Sequence, residues 1–420
     1  MNAAATPSAC ADHRAFGSLD RLLRRQLASR MTALRQGWLR LVDSEGTLEF
    51  GDADARPDLQ VRIEVRDPTF YRALAANGSV GAGEAWMDDA WHCDNLVGLI
   101  RVLVLNRDLL DGMETGMARL GGWVMKVIHA ARPNTRNGAR RNIAKHYDLG
   151  NDFFRTFLCS DMMYSSALWR DGADTLDMAS TRKLERICQW LQLKHGDRIV
   201  EVGTGWGGFA LYAARQYGCH VTTTTISRQQ YELTRELVAA AGMEDRVAVL
   251  NEDYRDLAGT FDKLVSIEMI EAIGAAQLAT FFAKIGQLLK PDGLAMVQAI
   301  TIEDHRYRQA LKSVDFIKRH VFPGCFIPSI DAMLKAKTQA SDLALIRQQD
   351  FGQSYARTLE AWRQRFMAHR DAIREQGFDH RFERMWEFYL AYCEGGFRER
   401  SIGVSHLLFA RPGWRPTEAT

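Results

Sequence analysis

Glu201, Gly203, Gly205, Gly207 and Gly208 fall within the nine residues VEVGTGWGG, where an apolar run meets an amphipathic one. Glycines at that spacing let the main chain turn sharply and approach a ligand at the carboxyl edge of a sheet, where open α/β folds hold nucleotides. A tight strand-to-helix turn would use the same glycines, so the flanking residues must decide. A dinucleotide would call for an acidic side chain about 20 residues on, to hold a ribose. Here the second strand ends TTTTISRQQ, and Thr225, Ser227, Gln229 and Gln230 offer neutral hydrogen bonds instead. NEDYRD follows the third strand, where the loop can meet an adenine amine and Tyr254 can cover the base. Asp253 and Asp256 in that loop also suit turn and cap chemistry. The set favours a methyl donor, S-adenosylmethionine, over a dinucleotide.

The elements that would position these residues are regular from residue 196. DRIVEVG reads as a strand, WGGFALYAARQYG as a helix, HVTTTTI as a strand and SRQQYELTRELVAAAG as a helix. DRVAVLNED and FDKLVSIE then read as strands, AAQLATFFAKIGQLLKP as a helix and DGLAMVQAI as a strand. That alternation predicts a parallel sheet with helices on both faces. Helical segments follow at 303–320, 354–375 and 380–397, with strands at LALIRQQD and GVSHLLFAR. Ahead of them, SLDRLLRRQLASRMTALRQ is helical, GTLEFGD and LQVRIEV alternate as strands, and helical pattern resumes to about residue 130. We therefore expect a small α+β N-terminal domain over 1–130, a linker over 131–145 and an α/β domain over 146–420. Within the linker, Arg132, Arg136, Arg140, Arg141 and Lys145 carry positive charge with no acidic residue until Asp148, and Trp123, Val124, Val127 and Ile128 lie just before it on one helical face. An apolar face beside a cationic cluster suits a membrane surface, although a solvated tether has the same composition.

The 54 basic and 52 acidic residues leave a formal charge of +2, so no global field draws nucleic acid. Seven scattered cysteines, at 10, 93, 159, 188, 219, 325 and 393, form no CxxC pair and suit reduced thiols rather than disulfides or a zinc site; no metal is expected. No apolar run is long enough to cross a membrane and the start is polar, so a soluble cytoplasmic protein, peripheral on the inner face of the membrane, is expected. An exposed apolar face on the N-terminal domain would also suit a homodimer.

KHYDLGNDFF, MMYSSALW, EVGTGWGG, TTTTISRQQ, EDYRDL, SIEMIEAIG, FPGCFIPS, DFGQSYARTLEAW and YLAYCEGGFRER, in that order, resemble cyclopropane-fatty-acyl-phospholipid synthases and mycolic acid cyclopropane synthases over about 145–411. The resemblance implies a Rossmann-like class I methyltransferase sheet with helical insertions that form an acyl tunnel. It implies that Tyr164, Ser165, Gly203, Gly205, Thr225, Ser227, Gln230, Tyr254 and Arg255 line the S-adenosylmethionine site. It further implies a bicarbonate base, held by Ser166, Glu271, Gln298 and Tyr355, with Cys393 nearby. Three positions depart from the pattern: Ser166 stands where many members have Cys, Gln298 replaces a His, and Ala272 stands where a His often follows the Glu. A neutral amide donates a hydrogen bond but shares no titrating proton.

The implied reaction is attack by the double bond of an unsaturated phospholipid acyl chain on the donor's methyl group. The sulfonium is already a strong electrophile, so positioning and exclusion of water matter more than acid catalysis. Attack leaves a carbocation, which aromatic faces stabilise by about 1–2 kcal/mol each when desolvated. Tyr164, Trp169, Phe322, Phe326 and Tyr389 are candidates for that role, or else plain core. Proton loss from the new methyl group closes a cyclopropane, the expected product; loss from a neighbouring carbon gives a methylated or methylene-branched chain. Glu271 is the best protein group to hold or be the base, although a carboxylate also suits a helix N-terminus there. Cys393 reads as an inert buried thiol. A non-catalytic lipid-binding protein would not need the intact glycine turn. Nucleic-acid methylation would want a loop to clamp a flipped base, and none is present.

Overall fold

The computed structural model describes residues 15–108, 149–170 and 172–416. The chain divides into two compact units, Met1–Gly121 and Gly122–Thr420. The expected boundary near residue 130, the basic linker and the apolar residues before it lie outside the described residues.

In the first unit, α1 (Ser18–Met31) and α2 (Thr69–Met87) accompany a sheet of β1 (Trp38–Asp43), β2 (Gly46–Gly51), β3 (Gln60–Val65) and β4 (Trp91–Cys93) in the order β2-β1-β3-β4, followed by α3 (Leu96–Leu105). WLRLVD forms the strand between the two that the alternation of the sequence identifies, pairing antiparallel with β2 and parallel with β3. The first helix ends at Met31, short of the helical pattern. The next long helix is kinked at Gly78, whose φ of 56° lies where a side chain would be strained.

The second unit begins with α4 (Asn151–Arg155) and α5 (Leu176–Trp190). The alternating core follows: β5 (Arg198–Val202), α6 (Gly208–Tyr217), β6 (His220–Thr224), α7 (Arg228–Ala240), β7 (Val247–Leu250), β8 (Phe261–Ile267), α8 (Leu278–Leu288) and β9 (Leu289–Ile302). After it come α9 (Asp304–Lys312), a π turn (Ile317–Val321), α10 (Ile330–Ala340), β10 (Ala344–Asp350), α11 (Gly352–Ala368), α12 (Arg370–Glu375), α13 (His380–Arg398) and β11 (Ile402–Ala410). The strands form one sheet in the order β10-β11-β9-β8-β5-β6-β7, parallel from β9 to β7 with β11 antiparallel to both its neighbours.

Leu264, Phe281, Phe282, Ile285, Val297 and Phe409 pack one face of this sheet, and Ile187, Ile199, Phe209, Val265, Met296 and Leu408 pack the other. Burial on both faces explains why the strands read as continuous apolar runs. Each such side chain contributes about 1.5–3 kcal/mol, and together they make a rigid floor whose carboxyl edge carries the loops described next.

Candidate active site

The glycine turn leaves β5 with Gly203 at φ 99° and Gly205 at φ 53°. A Cβ on Gly203 would lie 2.9 Å from Met269 Cγ, whereas one on Gly205 would meet nothing within 4 Å. Gly203 is therefore a packing requirement, and Gly205 leaves the main chain open to a ligand. Glu201 lies beneath the turn with a hydrogen bond of 2.6 Å from Thr223, which is joined in turn to Thr204 at 2.7 Å. Burial pushes the Glu201 carboxyl up to about 8, against the pull of Thr223. It braces β5 against β6.

The polar residues after β6 largely bind one another. Thr225 Oγ1 donates to Gln230 Oε1 at 2.8 Å and accepts from the Ser227 N–H at 3.1 Å, while Ser227 caps α7. Gln229 Oε1 and the Tyr254 hydroxyl are among the buried polar atoms left without a protein partner, as is Thr234 Oγ1 further along α7. A buried polar group costs stability until it is paired, so Gln229 and Tyr254 fit a polar nucleoside ligand. Arg255 is held at 2.8 and 2.6 Å by Asp253, which also caps the turn at Tyr254–Asp256, so its charge is satisfied within the chain.

Two further loops border the glycine turn. A Cβ on Gly208 would collide with Met163 and with the main chain of Asp161, which places the Asp161–Ser166 loop against it; Met269, against Gly203, belongs to the turn after β8. Beneath the first loop lies a buried polar group that the sequence reading passed over. Lys183, on α5, donates to Ser165 Oγ at 2.7 Å, and Asp161 accepts from Ser180 at 2.6 Å. Burial lowers the Lys183 pKa, while the charges of Asp161 and Glu268 hold it up. A lone lysine at an apolar position of α5 was the available signal.

Ser166, Gln298 and Tyr355 converge as the sequence implied, but on Glu268 rather than Glu271. The Ser166 N–H donates to Glu268 Oε1 at 2.9 Å, Gln298 Nε2 donates to the same oxygen at 2.7 Å, and the Tyr355 hydroxyl donates to Oε2 at 2.7 Å. The Ser166 contribution is its main chain; its own hydroxyl turns to the Ala167 carbonyl. Burial raises the Glu268 carboxyl, while the bonds from Ser166, Tyr355 and Gln298 and the charge of Lys183 pull it back. Glu271 lies one turn further on, in the short helix Ile270–Ala272, where Oε1 accepts from the Ile300 N–H at 2.6 Å and Oε2 is buried without a partner. Burial first, and then the charge of Glu268, push Glu271 up to about 8.

Behind Gln298 stands His406, whose Nε2 lies 2.8 Å from Gln298 Oε1 across the β9–β11 pairing. Burial, helped by Arg186 and Lys183, holds this imidazole neutral well below its usual range. It therefore donates to the amide oxygen and turns the amide nitrogen toward Glu268. Burial keeps the Cys393 thiol protonated, which leaves it no nucleophilic role.

Of the aromatic candidates, Tyr164, Phe322 and Tyr389 come together. The Tyr164 and Tyr389 hydroxyls are 2.8 Å apart, the Phe322 and Tyr389 rings 5.9 Å apart, and Trp362 adds a ring 5.2 Å from Tyr164 and 6.0 Å from Tyr355. Trp169 instead stacks under Arg357 at 4.4 Å, and Phe326 is part of the sheet core.

The implied bicarbonate does not fit this arrangement. The Ser166 N–H, the Gln298 amide and the Tyr355 hydroxyl already hold a carboxylate of the chain, and a second anion would add like charge to a buried site. Among the described residues no cluster of metal-ligand type occurs, and no helix is long and apolar enough to cross a membrane.

Residues 134–407 match the family model described as mycolic acid cyclopropane synthetase. The chain belongs to this family. It is 36% identical to the tuberculostearic acid methyltransferase UfaA1 of Mycobacterium tuberculosis, over 97% of this chain and 98% of that one. It is 34% identical to the cyclopropane-fatty-acyl-phospholipid synthase of Escherichia coli K12, over 83% of this chain and 87% of that one. Among solved structures, the cyclopropane synthase MmaA2 of Mycobacterium tuberculosis superposes with a TM-score of 0.61 at 26% identity, covering 64% of this chain and 98% of that one. The mycolic acid cyclopropane synthase CmaA1 complexed with SAH superposes with a TM-score of 0.60 at 27% identity, with the same coverage. The protein is thus an S-adenosylmethionine-dependent methyltransferase of the cyclopropane synthase family that acts on lipid acyl chains. The expected Rossmann-like class I sheet is the one observed.

Proposed function

We propose that the protein methylates the double bond of an unsaturated acyl chain in a membrane phospholipid and releases a methylated or methylene-branched chain. The observation that carries the reaction type is the group of Tyr164, Phe322, Trp362 and Tyr389 rings around the hydroxyl pair, beside two enclosed carboxylates and against the glycine turn. Aromatic faces stabilise a carbocation without trapping it as water would. S-adenosylmethionine supplies an electrophilic methyl group; the chain's residues position the alkene, exclude water and accept the proton. Gly203, Gly205, Gly207, Gln229 and Tyr254 are the proposed contacts to the donor, with Glu201, Thr225, Ser227 and Gln230 shaping the loops that carry them. Tyr164 and Ser165 close the site from the neighbouring loop.

Gln298, in place of the family's usual His, favours the branched product, as does similarity over nearly the whole chain to a tuberculostearic acid methyltransferase. Loss of a proton from the carbon that took the methyl group restores a double bond directly. A saturated branch would need a hydride donor in a separate reaction. Cyclopropane formation is the second reading, favoured by the family and by the Escherichia coli synthase. The two products are isomers, so proton NMR of the extracted lipid separates them: olefinic or allylic methyl signals support the first reading, and high-field ring protons the second.

A peripheral position at the inner membrane face accompanies this acceptor. Leu19 and Leu22 are 50% and 47% exposed on α1 beside Arg25, a pairing that suits an anionic lipid surface. The same face could pair two copies. Flotation with anionic vesicles, reduced by Leu19→Ser with Leu22→Ser and by charge removal at Arg140, Arg141 and Lys145, tests the lipid role.

A further inference from the structure

We propose that Glu268 is the resident anion and the proton acceptor of this site, so that the enzyme completes its reaction without bound bicarbonate. The proposal deepens the acyl-alkene reading above and rests on it for the identity of the proton donor.

Three donors from three separate parts of the fold meet the Glu268 carboxylate: a main-chain N–H from the Asp161–Ser166 loop, an amide from β9 and a hydroxyl from α11. Such a convergence is what an oxyanion site requires, and here the oxyanion belongs to the chain. Glu268 retains some accessible surface although protein encloses it, as does Glu271, the pattern of side chains that line an internal space.

Its backbone adds an independent observation. Glu268 has φ 48°, in the left-handed region that favours glycine. A non-glycine residue there costs on the order of 1 kcal/mol or more, and such outliers persist where surrounding contacts enforce them. Here the Glu268 N–H donates to the Gln298 carbonyl at 2.8 Å while Gln298 Nε2 grips the carboxylate, so β9 holds both ends of the residue. His406 fixes the amide orientation, and the buried Lys183 acts on the carboxylate through its charge.

The proposed step balances without a further reactant. After methyl transfer the acyl chain carries a carbocation. An adjacent C–H bond breaks and its electron pair forms the new carbon–carbon π bond, or a ring bond in the second reading. The proton passes to Glu268 Oε2, which Tyr355 orients, and leaves to solvent after product release. Glu268 is the group that takes the proton; Gln298, His406 and Tyr355 are positioning residues.

Two measurements test this. Calorimetric titration with sodium bicarbonate should show no binding to the wild type and binding to Glu268→Gly, a substitution that the positive φ tolerates and that leaves the three donors unpaired. Binding of bicarbonate to the wild type would overturn the proposal whatever the acceptor lipid. Turnover on vesicles of a monounsaturated phospholipid should be unchanged for the wild type in CO2-free buffer. Glu268→Gln should lose about 100-fold or more while still binding S-adenosylhomocysteine, since its oxygen can accept from Ser166 and Gln298 and its nitrogen can donate to Tyr355. A wild type that slows when bicarbonate is removed, or a Glu268→Gln variant at the wild-type rate, overturns it. Absence of product from every unsaturated phospholipid would instead remove the acceptor assignment, with the calorimetric result still deciding the anion.

Discussion

Glu268 and Glu271 stand three residues apart on the turn after β8 and carry the same group in opposite settings. Glu268 receives hydrogen bonds from Ser166, Gln298 and Tyr355; Glu271 receives one, from the Ile300 N–H, and keeps its second oxygen buried and unpaired. Carboxyl groups in such unlike settings can divide the roles of base and acid. Burial raises both carboxyls, but the three donors and the charge of Lys183 favour the ionised form of Glu268, whereas Glu271, pushed up to about 8, holds a proton at neutral pH.

The first prediction follows from that division. Glu271→Gln preserves a neutral group and an oxygen for Ile300, so its turnover should stay within about ten-fold of the wild type, a barrier change of about 1.4 kcal/mol. Glu268→Gln, which removes charge, should fall much further. Steady-state rates of the two variants side by side check the ranking; equal losses would contradict it.

Stability should fall with rising pH because of two raised carboxyls. Glu201 and Glu271 both lie near 8 in the folded protein, against an ordinary value of 4.5. At these two groups the folded state binds more protons than the unfolded chain between those values, so their contribution to stability declines as pH rises from 4.5 through about 8. His406, which burial holds neutral, acts with the opposite sign below the ordinary imidazole value of 6.5, so the decline due to the two carboxyls is read between about 6.5 and 8. Thermal melts across that range should flatten in Glu201→Gln and in Glu271→Gln, and more in the double variant.

Tyr254→Phe removes a buried hydroxyl that has no protein partner. The protein without ligand should melt at the same or a higher temperature, because an unsatisfied group is lost. S-adenosylhomocysteine should bind more weakly by about 1 kcal/mol, the worth of one hydrogen bond. Calorimetric titration of the variant gives both the sign and the size.

Gln298→Leu breaks the bond to Glu268 and strands the His406 imidazole, which already has Nδ1 unpaired. A loss of about 1–3 kcal/mol in stability is expected from one newly unsatisfied buried group, together with reduced turnover. Gln298→Glu keeps the acceptor for His406 but places like charge beside Glu268, and should be worse for turnover than Gln298→Leu.

The alternation of apolar runs and amphipathic helices made the α/β sheet legible, because each strand is buried on both faces and each helix on one. WLRLVD was missed although its neighbours were found. Its burial alternates only over its first four residues, and its place between β2 and β3 depends on pairing with two later strands, one antiparallel and one parallel. In the site, Ser166, Gln298 and Tyr355 were legible by resemblance, but the carboxylate on which they converge was not. SIEMIEAIG offers two glutamates, both enclosed by the fold, and the positive φ that Glu268 adopts is not marked by a glycine in the sequence. The Gln298–His406 contact spans 108 residues and depends on the β9–β11 register, which no local pattern specifies. Conversely, Arg255 looked like a ligand contact because its partner, Asp253, was read only as a cap.

The most direct test is to incubate the enzyme with S-adenosylmethionine labelled with carbon-13 in the methyl group and vesicles of a cis-monounsaturated phospholipid. Carbon NMR of the extracted lipid should show the label on the acyl chain, as a methyl carbon attached to a double bond or as a methylene carbon. Label in a high-field cyclopropane carbon would contradict the branched product and establish the ring. Absence of label from the acyl chain, while S-adenosylhomocysteine still binds, would contradict the acyl-alkene account itself.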